Sequence, residues 1–195
     1  MRPRLALALP CTWLLLAAGC GSTPPSRFYT ITAAPPATPA APSDLAVVVG
    51  PVSIPAAVDR PQIVVTVSST QVWLDEFNRW ASPLQNNIGR AVAENLVAML
   101  GTPRVATAPQ TSVGADYRAA IEVQRFDSAP GEAATLDAVW TVSRTADGKA
   151  STGRTRAREA TADKSYDALA AAHSRAVARL SQDIADAVRT LDRAR

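Results

Sequence analysis

Two cysteines supply the strongest nucleophiles that this sequence offers. Cys11 and Cys20 both lie within the first twenty residues, and an apolar run over residues 5–18 precedes Cys20 behind a basic start. At roughly 14 residues the run is shorter than the ~20 that a membrane-spanning helix needs. This order is typical of a secretory signal peptide, in which a basic start and a short apolar run precede small residues at the cleavage site. We expect residues 1–19 to be removed together with Cys11, which excludes disulfides and thiol catalysis and leaves Cys20 as the remaining sulfur.

The position of Cys20 points to lipid attachment. Ala18 and Gly19 before it resemble the lipobox of bacterial lipoproteins, although Ala17 stands where leucine is usual. In that case the sulfur takes a diacylglyceryl group and the new N-terminus an acyl chain such as palmitate, and several chains hold a protein stably on a bilayer. Gly21 follows where aspartate would signal inner-membrane retention, so we expect the outer membrane. The alternative is an ordinary secretory signal that leaves Cys20 as an unpaired thiol.

Residues suited to acid–base or metal chemistry are sparse. His173 is the only histidine and falls within an apolar stripe, which favours a place at the core edge or the helix surface. Asp75 and Glu76 are adjacent, so a strand would send them to opposite faces and leave them as a solvated edge. We therefore predict no catalytic residue, no metal and no cofactor other than the lipid on Cys20. An enzyme is the least favoured alternative.

The net charge of the protein does not favour binding to nucleic acid. The chain has 20 basic and 17 acidic residues, and loss of the signal leaves a nearly neutral protein, so we expect no nucleic-acid partner. Arg154, Arg156 and Arg158 alternate along one strand and share a face. They offer a site for anionic lipid or an acidic partner, or they form a solvated face balanced by neighbours such as Asp137, which we expect opposite Arg158.

The remaining pattern predicts a single α+β domain over residues 28–195, behind a lipidated tether over 20–27. Apolar positions at helical spacing predict one helix over 83–100, closed by Gly101, and a second that begins near Asp163 or Ser165. The predicted strands cover 28–31, 45–49 with 52–54, 62–67, 71–76, 104–107, 116–126, 133–144 and 149–159. We expect a mostly antiparallel sheet with both helices on one face, and a flexible, solvated Pro/Ala-rich stretch over 33–43.

The last two strands form a predicted hairpin around Asp147-Gly148. A two-residue turn there places Trp140 opposite Thr155, with Gly153 diagonal to the indole. Small residues around the ring would make room for it.

Residues 50–84 stand out because aromatic and charged side chains alternate there. Such a mixture is typical of interface cores. We take the following residues as candidates for partner binding: Asp59, Arg60, Trp73, Phe77, Arg79 and Trp80. The alternative is that the rings anchor the first helix to the sheet.

Several blocks resemble one family, the PqiC-type or ABC-type transport auxiliary lipoproteins. The most specific are DRPQIV at 59–64 and EFNRWA at 76–81, and FYT at 28–30, GPV at 50–52, AENL at 93–96 and SYDAL at 165–169 agree with them. The family usually has aspartate where Asn78 stands and often an acid at the position of Gln85.

The resemblance implies an outer-membrane lipoprotein on the periplasmic face. It further implies a non-catalytic component of a lipid-transport or membrane-integrity system that docks an MCE-domain protein and its inner-membrane permease, with assembly into homo-oligomeric rings. A second hypothesis is a carrier that holds one lipid in an apolar pocket between helices and sheet.

Overall fold

Eight strands and two helices make up the part of the chain that the computed structural model describes, residues 24–34, 36, 40–109 and 114–194. The predicted signal and Cys20 lie outside those residues. The elements are β1 (Arg27–Tyr29), β2 (Val47–Ser53), β3 (Gln62–Thr66), β4 (Val72–Trp80), α1 (Leu84–Leu100), β5 (Val105–Thr107), β6 (Tyr117–Ala129), β7 (Ala133–Arg144), β8 (Ala150–Ala160) and α2 (Tyr166–Arg193). In these described ranges, no helix combines the length and apolar character that a membrane crossing requires.

The strands form one mixed, curled sheet, so the expectation of a mostly antiparallel sheet is wrong. The pairs β3–β4, β6–β7 and β7–β8 are antiparallel, whereas β1–β4, β2–β5, β2–β6 and β3–β6 are parallel. Along one edge β6 pairs with β7, and along the other it pairs first with β2 and then, at Ser128, with β3. Turn sequences between neighbouring strands predict antiparallel hairpins. The parallel pairs join segments that are far apart in sequence, and no turn sequence predicts such pairing.

Both helices pack on the sheet face that carries Leu136, Ala138 and Trp140, as predicted. The apolar stripe of α2 is buried along its length, and the Ser165 hydroxyl caps its start by accepting from the Ala168 N–H at 3.1 Å. Apolar residues that recur every three or four positions need this burial, which is why the spacing predicted both helices correctly.

Gly101 ends α1 as the sequence predicted. Its φ of 66° is in the left-handed region, where a side chain is disfavoured. A Cβ there would lie 2.1 Å from the Ala41 carbonyl oxygen. Position 101 therefore requires glycine for two reasons, the left-handed backbone at the helix end and the close approach of the Ala41 carbonyl.

Three described residues of the stretch over 33–43, which we expected to be flexible, bond to α1. The Ala34 N–H donates to Asn95 Oδ1 at 2.9 Å, the Ala40 N–H to the Ala98 carbonyl at 3.1 Å, and the Ser43 hydroxyl to the Leu100 carbonyl at 2.7 Å. Residues 34, 40 and 43, which the structure describes, are therefore held by hydrogen bonds to the helix.

The β7–β8 hairpin has a four-residue connection and not the predicted two-residue turn. Beyond the pair of Ser143 with Ala150, the Arg144 N–H donates to the Lys149 carbonyl at 2.8 Å, which leaves residues 145–148 as the connection. The Thr145 N–H donates to the Asp116 carbonyl at 2.8 Å. The register moves by two residues and puts Trp140 opposite Gly153, with the indole N–H donating to Thr155 Oγ1 at 3.1 Å. A shift of two keeps each side chain on its face.

Candidate docking surface

A bulge of three residues interrupts β4 in the first half of the EFNRWA block. Ile63 pairs with Asp75, but the next pair on the ladder is Gln62 with Arg79, so residues 76–78 are extra on the β4 side. An insertion of this kind bends a strand and redirects its side chains. The bulge therefore decides which residues of β4 face solvent.

Asp75 fixes the shape of the bulge. Its Oδ1 accepts the backbone N–H groups of Phe77 and Asn78, both at 2.9 Å, and its Oδ2 accepts Asn78 Nδ2 at 2.9 Å and the Tyr166 hydroxyl at 2.5 Å. Asp75 is only 3% exposed. The expectation of a solvated Asp75-Glu76 edge is thus wrong for Asp75, since the bulge turns its carboxylate inward against the start of α2, while Glu76 remains exposed.

The ionisation of this cluster follows from its hydrogen bonds. Burial raises the pKa of Asp75, but the bonds from Tyr166, Asn78 and the Phe77 N–H outweigh it and hold the pKa below its usual value. Burial, and then the hydrogen bond to Asp75 and the charge of that carboxylate, raise the pKa of the Tyr166 hydroxyl. Asp75 is therefore ionised and Tyr166 protonated at neutral pH. Tyr29 extends the cluster by donating to Asn78 Oδ1 at 2.9 Å.

Exposed side chains surround this buried cluster. Phe77 is 37% exposed and Phe28, on the neighbouring β1, is 64% exposed. Phe28 pairs with Arg79, whose Nε donates to the Glu76 carbonyl at 2.9 Å. We call Phe28, Glu76, Phe77 and Arg79 the β1–β4 surface. It joins apolar rings to a bound guanidinium, a combination typical of protein interfaces.

Trp80 does not belong to this surface. It is 4% exposed, and its ring meets the rings of Phe126 and His173 edge to face, with centroids 6.1 and 5.8 Å away. The structure thus places Trp80 in the core, where its ring contacts β6 and the second helix, whereas the alternative drawn from the sequence concerned an anchor for the first helix.

The other candidate residues lie at opposite ends of the β3–β4 hairpin. Asp59 is exposed and Arg60 half-buried, just before β3. Trp73 is more than half exposed near the turn between the strands, opposite Val65. At ~3.3 Å per residue, six strand positions separate Trp73 from Arg79 by roughly 15–20 Å. The candidates therefore form no single patch.

His173 is fully buried, deeper than the core edge that the sequence suggested. Its Nε2 and the Ser128 hydroxyl are 2.8 Å apart, and its ring stacks on Phe126 at a centroid distance of 4.0 Å. Burial lowers its pKa to about 3, so the imidazole is neutral. The apolar stripe showed where His173 lies, but no local signal identified Ser128 as its partner.

The three arginines of β8 share the exposed face, as predicted, but each has an acidic partner. Arg154 binds Asp137 with two bonds of 2.7 and 2.8 Å, Arg156 approaches the same carboxylate at 3.3 Å, and Arg158 pairs with Glu132. The Arg154 hydrogen bond holds the pKa of Asp137 below its usual value. The expected pairing of Arg158 with Asp137 is wrong, because the register differs by two residues.

A surface cleft of about 630 Å³ lies between β2, β5 and the start of α1, lined in part by Gly50, Pro51, Gln85, Asn86, Gly89 and Arg90. The space between helices and sheet, where a lipid carrier would hold its cargo, is occupied by fully buried side chains such as Leu136, Leu180 and Ile184. Within the described ranges, no group of three His, Cys, Asp or Glu side chains is placed to hold a metal ion.

Comparison with known proteins identifies the family. The family model for the ABC-type transport auxiliary lipoprotein component matches residues 29–185. The chain belongs to this family. The match includes the β4 bulge, Asp75 and most of α2, and it implies a membrane-associated periplasmic location for this transport auxiliary component.

Solved structures share the fold. One uncharacterized protein superimposes with a TM-score of 0.69 at 19% identity, covering 85% of this chain and 99% of its own. A protein of the DUF330 family from Xanthomonas campestris gives a TM-score of 0.62 at 21% identity, covering 81% of this chain and 91% of its own. No functionally curated protein shows significant sequence similarity to the chain.

Proposed function

We propose that this transport auxiliary lipoprotein is held on the periplasmic face of the outer membrane by acyl groups on Cys20. There it docks an MCE-domain transport protein that extends from an inner-membrane permease, and it takes no part in catalysis. The family match supports the transport role, and the residues before Cys20 support the anchor. Assembly of several copies into a ring is part of the proposal.

The β1–β4 surface is the observation that carries the docking role. Its backbone is pre-organised, since four hydrogen bonds to the buried Asp75 carboxylate set the bulge. A rigid surface loses less conformational entropy when a partner binds. Phe28 and Phe77 supply apolar contact area, and Arg79, half-buried and bonded to the Glu76 carbonyl, supplies a directed donor.

Two further contacts belong to the proposal. Asp59 and Arg60 immediately precede β3, whose first residue, Gln62, pairs with Arg79, and we include them in the proposed contact. Arg154, Arg156 and Arg158 form a secondary contact for an acidic partner or anionic lipid. Because acidic neighbours already bind all three, we expect this contact to add less affinity than the β1–β4 surface.

Capture of the MCE-domain protein by the full lipidated chain tests the docking role. We expect Phe77→Ser and Arg79→Glu each to reduce the recovered partner at least tenfold without lowering the thermal midpoint by more than a few degrees. Val97→Ser is the matched control, because Val97 is a similarly exposed apolar residue, at 38%, on α1.

The buried Trp80 provides the opposite control. Trp80→Ser should lower stability, with capture per folded molecule unchanged. Unchanged capture by both Phe77→Ser and Arg79→Glu, or equal loss in Val97→Ser, would contradict docking on the β1–β4 surface.

A further inference from the structure

The turn between β3 and β4 exposes a group of apolar side chains. Val67, Val72 and Trp73 are each more than half exposed there. From residue 61 to residue 74 the chain carries no charged side chain. We call residues 67–73 the hairpin tip. Val72 and Trp73 are adjacent in β4 and point to opposite faces, so the tip exposes apolar side chains on both faces of the hairpin. Exposed apolar groups that lie close together mark contact surfaces.

The course of β1 shows where the chain before it leads. β1 runs parallel to β4, with Arg27 opposite Asn78 and Tyr29 opposite Trp80. Backward from Arg27, the chain therefore heads toward the first residues of β4, at the hairpin tip. From Asn78 to Val72 the strand, which includes the bulge, covers roughly 15–20 Å. Residues 20–26 reach at most about 25 Å when extended.

We infer that the hairpin tip lies in the interfacial layer of the membrane that holds Cys20 and forms a second, non-covalent lipid contact. The inference rests on the lipidation of Cys20 in the proposed function. A short tether that leaves toward the tip keeps the tip close to the headgroups. The occupant is a lipid surface, since the acyl groups on Cys20 would bring one within reach.

The chemistry of the hairpin tip suits that layer. Tryptophan favours the membrane–water interface, where its apolar ring and its N–H both find partners. Valine side chains gain from leaving water, and no charge has to lose its hydration. Two backbone N–H groups of the tip are paired, since those of Val67 and Ser68 donate to the Gln71 carbonyl at 2.9 and 3.1 Å.

Nearby charges are balanced, so attraction to anionic lipid is not the driving force. Arg125 pairs with Asp127, and Arg158 pairs with Glu132, beside the hairpin tip and the β6–β7 turn. We therefore expect the contact to depend on apolar insertion and to change little with salt. It would also fix the orientation of the domain, with the Asp59 end directed away from the membrane toward the periplasm.

Tryptophan quenching in proteoliposomes tests the inference. The full lipidated chain is reconstituted with phospholipids brominated near the headgroup end of their acyl chains. Trp73 is one of three tryptophans after Cys20, and Trp80 and Trp140 are buried. We expect the bromines to remove up to about one third of the emission, and Trp73→Phe to abolish most of that quenching.

Val97→Ser is the control, because Val97 is an exposed apolar residue on α1 that belongs neither to the hairpin tip nor to the β1–β4 surface. Its quenching should equal that of the unmodified chain. Equal quenching of the unmodified chain and Trp73→Phe overturns the inference, as does quenching that requires anionic lipid and disappears in salt. Intact mass of the same sample separates the two proposals. Acylated Cys20 without Trp73 quenching refutes the membrane contact alone, whereas Cys20 without acyl groups contradicts both.

Discussion

Asp75→Asn is the substitution that probes the β4 bulge most sharply. The carboxylate accepts four hydrogen bonds, from two backbone N–H groups, Asn78 Nδ2 and the Tyr166 hydroxyl. An asparagine oxygen can still accept from the backbone, but its NH₂ group then faces the two side-chain donors. Hydrogen bonds to a charged group contribute ~1.5–3 kcal/mol each. Because Tyr166 can reorient and recover part of its bond, we expect a loss of about 2–4 kcal/mol in the free energy of unfolding.

Urea unfolding followed by circular dichroism measures this loss. Glu76→Gln is the matched control, since it makes the same chemical change one residue away on a side chain that is 59% exposed. A surface pair of that kind contributes ~0–1 kcal/mol. If Asp75→Asn costs no more than Glu76→Gln, Asp75 does not hold the bulge.

The pH dependence of the Asp75 effect has a definite sign. The pKa of Asp75 is lowered on folding, so the stabilisation that it supplies is complete above the unfolded pKa of ~3.9 and is lost as pH falls through the folded pKa. Asparagine resembles the protonated acid. The stability difference between the unmodified chain and Asp75→Asn should therefore be constant from pH 7 to 5 and should shrink below pH ~4. A difference that grows on acidification would refute the reasoning.

Three further substitutions test buried contacts of the domain. Gly153→Ala places a Cβ 2.2 Å from Trp140 Cζ2 and should cost about 1–3 kcal/mol in urea unfolding, and an unchanged midpoint would show that the indole moves freely. The pKa of His173 falls to about 3 on folding, so the unmodified chain should lose up to ~1.4 kcal/mol per pH unit from pH 6.5 downward. His173→Phe should remove that slope, and an equal slope in both proteins would contradict neutral burial. Asn95→Ala removes the acceptor of the Ala34 N–H and should lower stability by about 1–3 kcal/mol, whereas a neutral result in thermal unfolding would show that the segment before β2 is held by other contacts.

Periodic patterns in the sequence predicted much of the fold. The apolar spacing of α1 and α2 and the alternation along β7 are local properties, and the structure buries the predicted faces. Even the two-residue error in the β7–β8 register left Trp140 on the correct face, because strand side chains alternate with a period of two. The parallel pairs were not predicted, since no short-range signal links β2 to β6 or β1 to β4.

The candidate site was predicted less well than the fold. Trp73, Phe77 and Trp80 lie within eight residues of sequence and read as one cluster. The bulge at residues 76–78 separates them, with Trp73 at the hairpin tip, Phe77 on the β1–β4 surface and Trp80 in the core. The sequence shows Asp75 only as an acidic residue next to Glu76. It does not show the hydrogen bond to Tyr166, because that residue lies 91 positions away. Side-chain partners at such separations have no sequence signature.

Anchoring through Cys20 underlies both the docking role and the membrane contact of the hairpin tip. The most direct measurement is the intact mass of the chain extracted from native membranes, together with fragmentation of its N-terminal peptide. We predict a chain that begins at Cys20 and carries a thioether-linked diacylglyceryl group and an N-acyl chain. A chain that begins at another residue, or at an unmodified Cys20, would contradict the account.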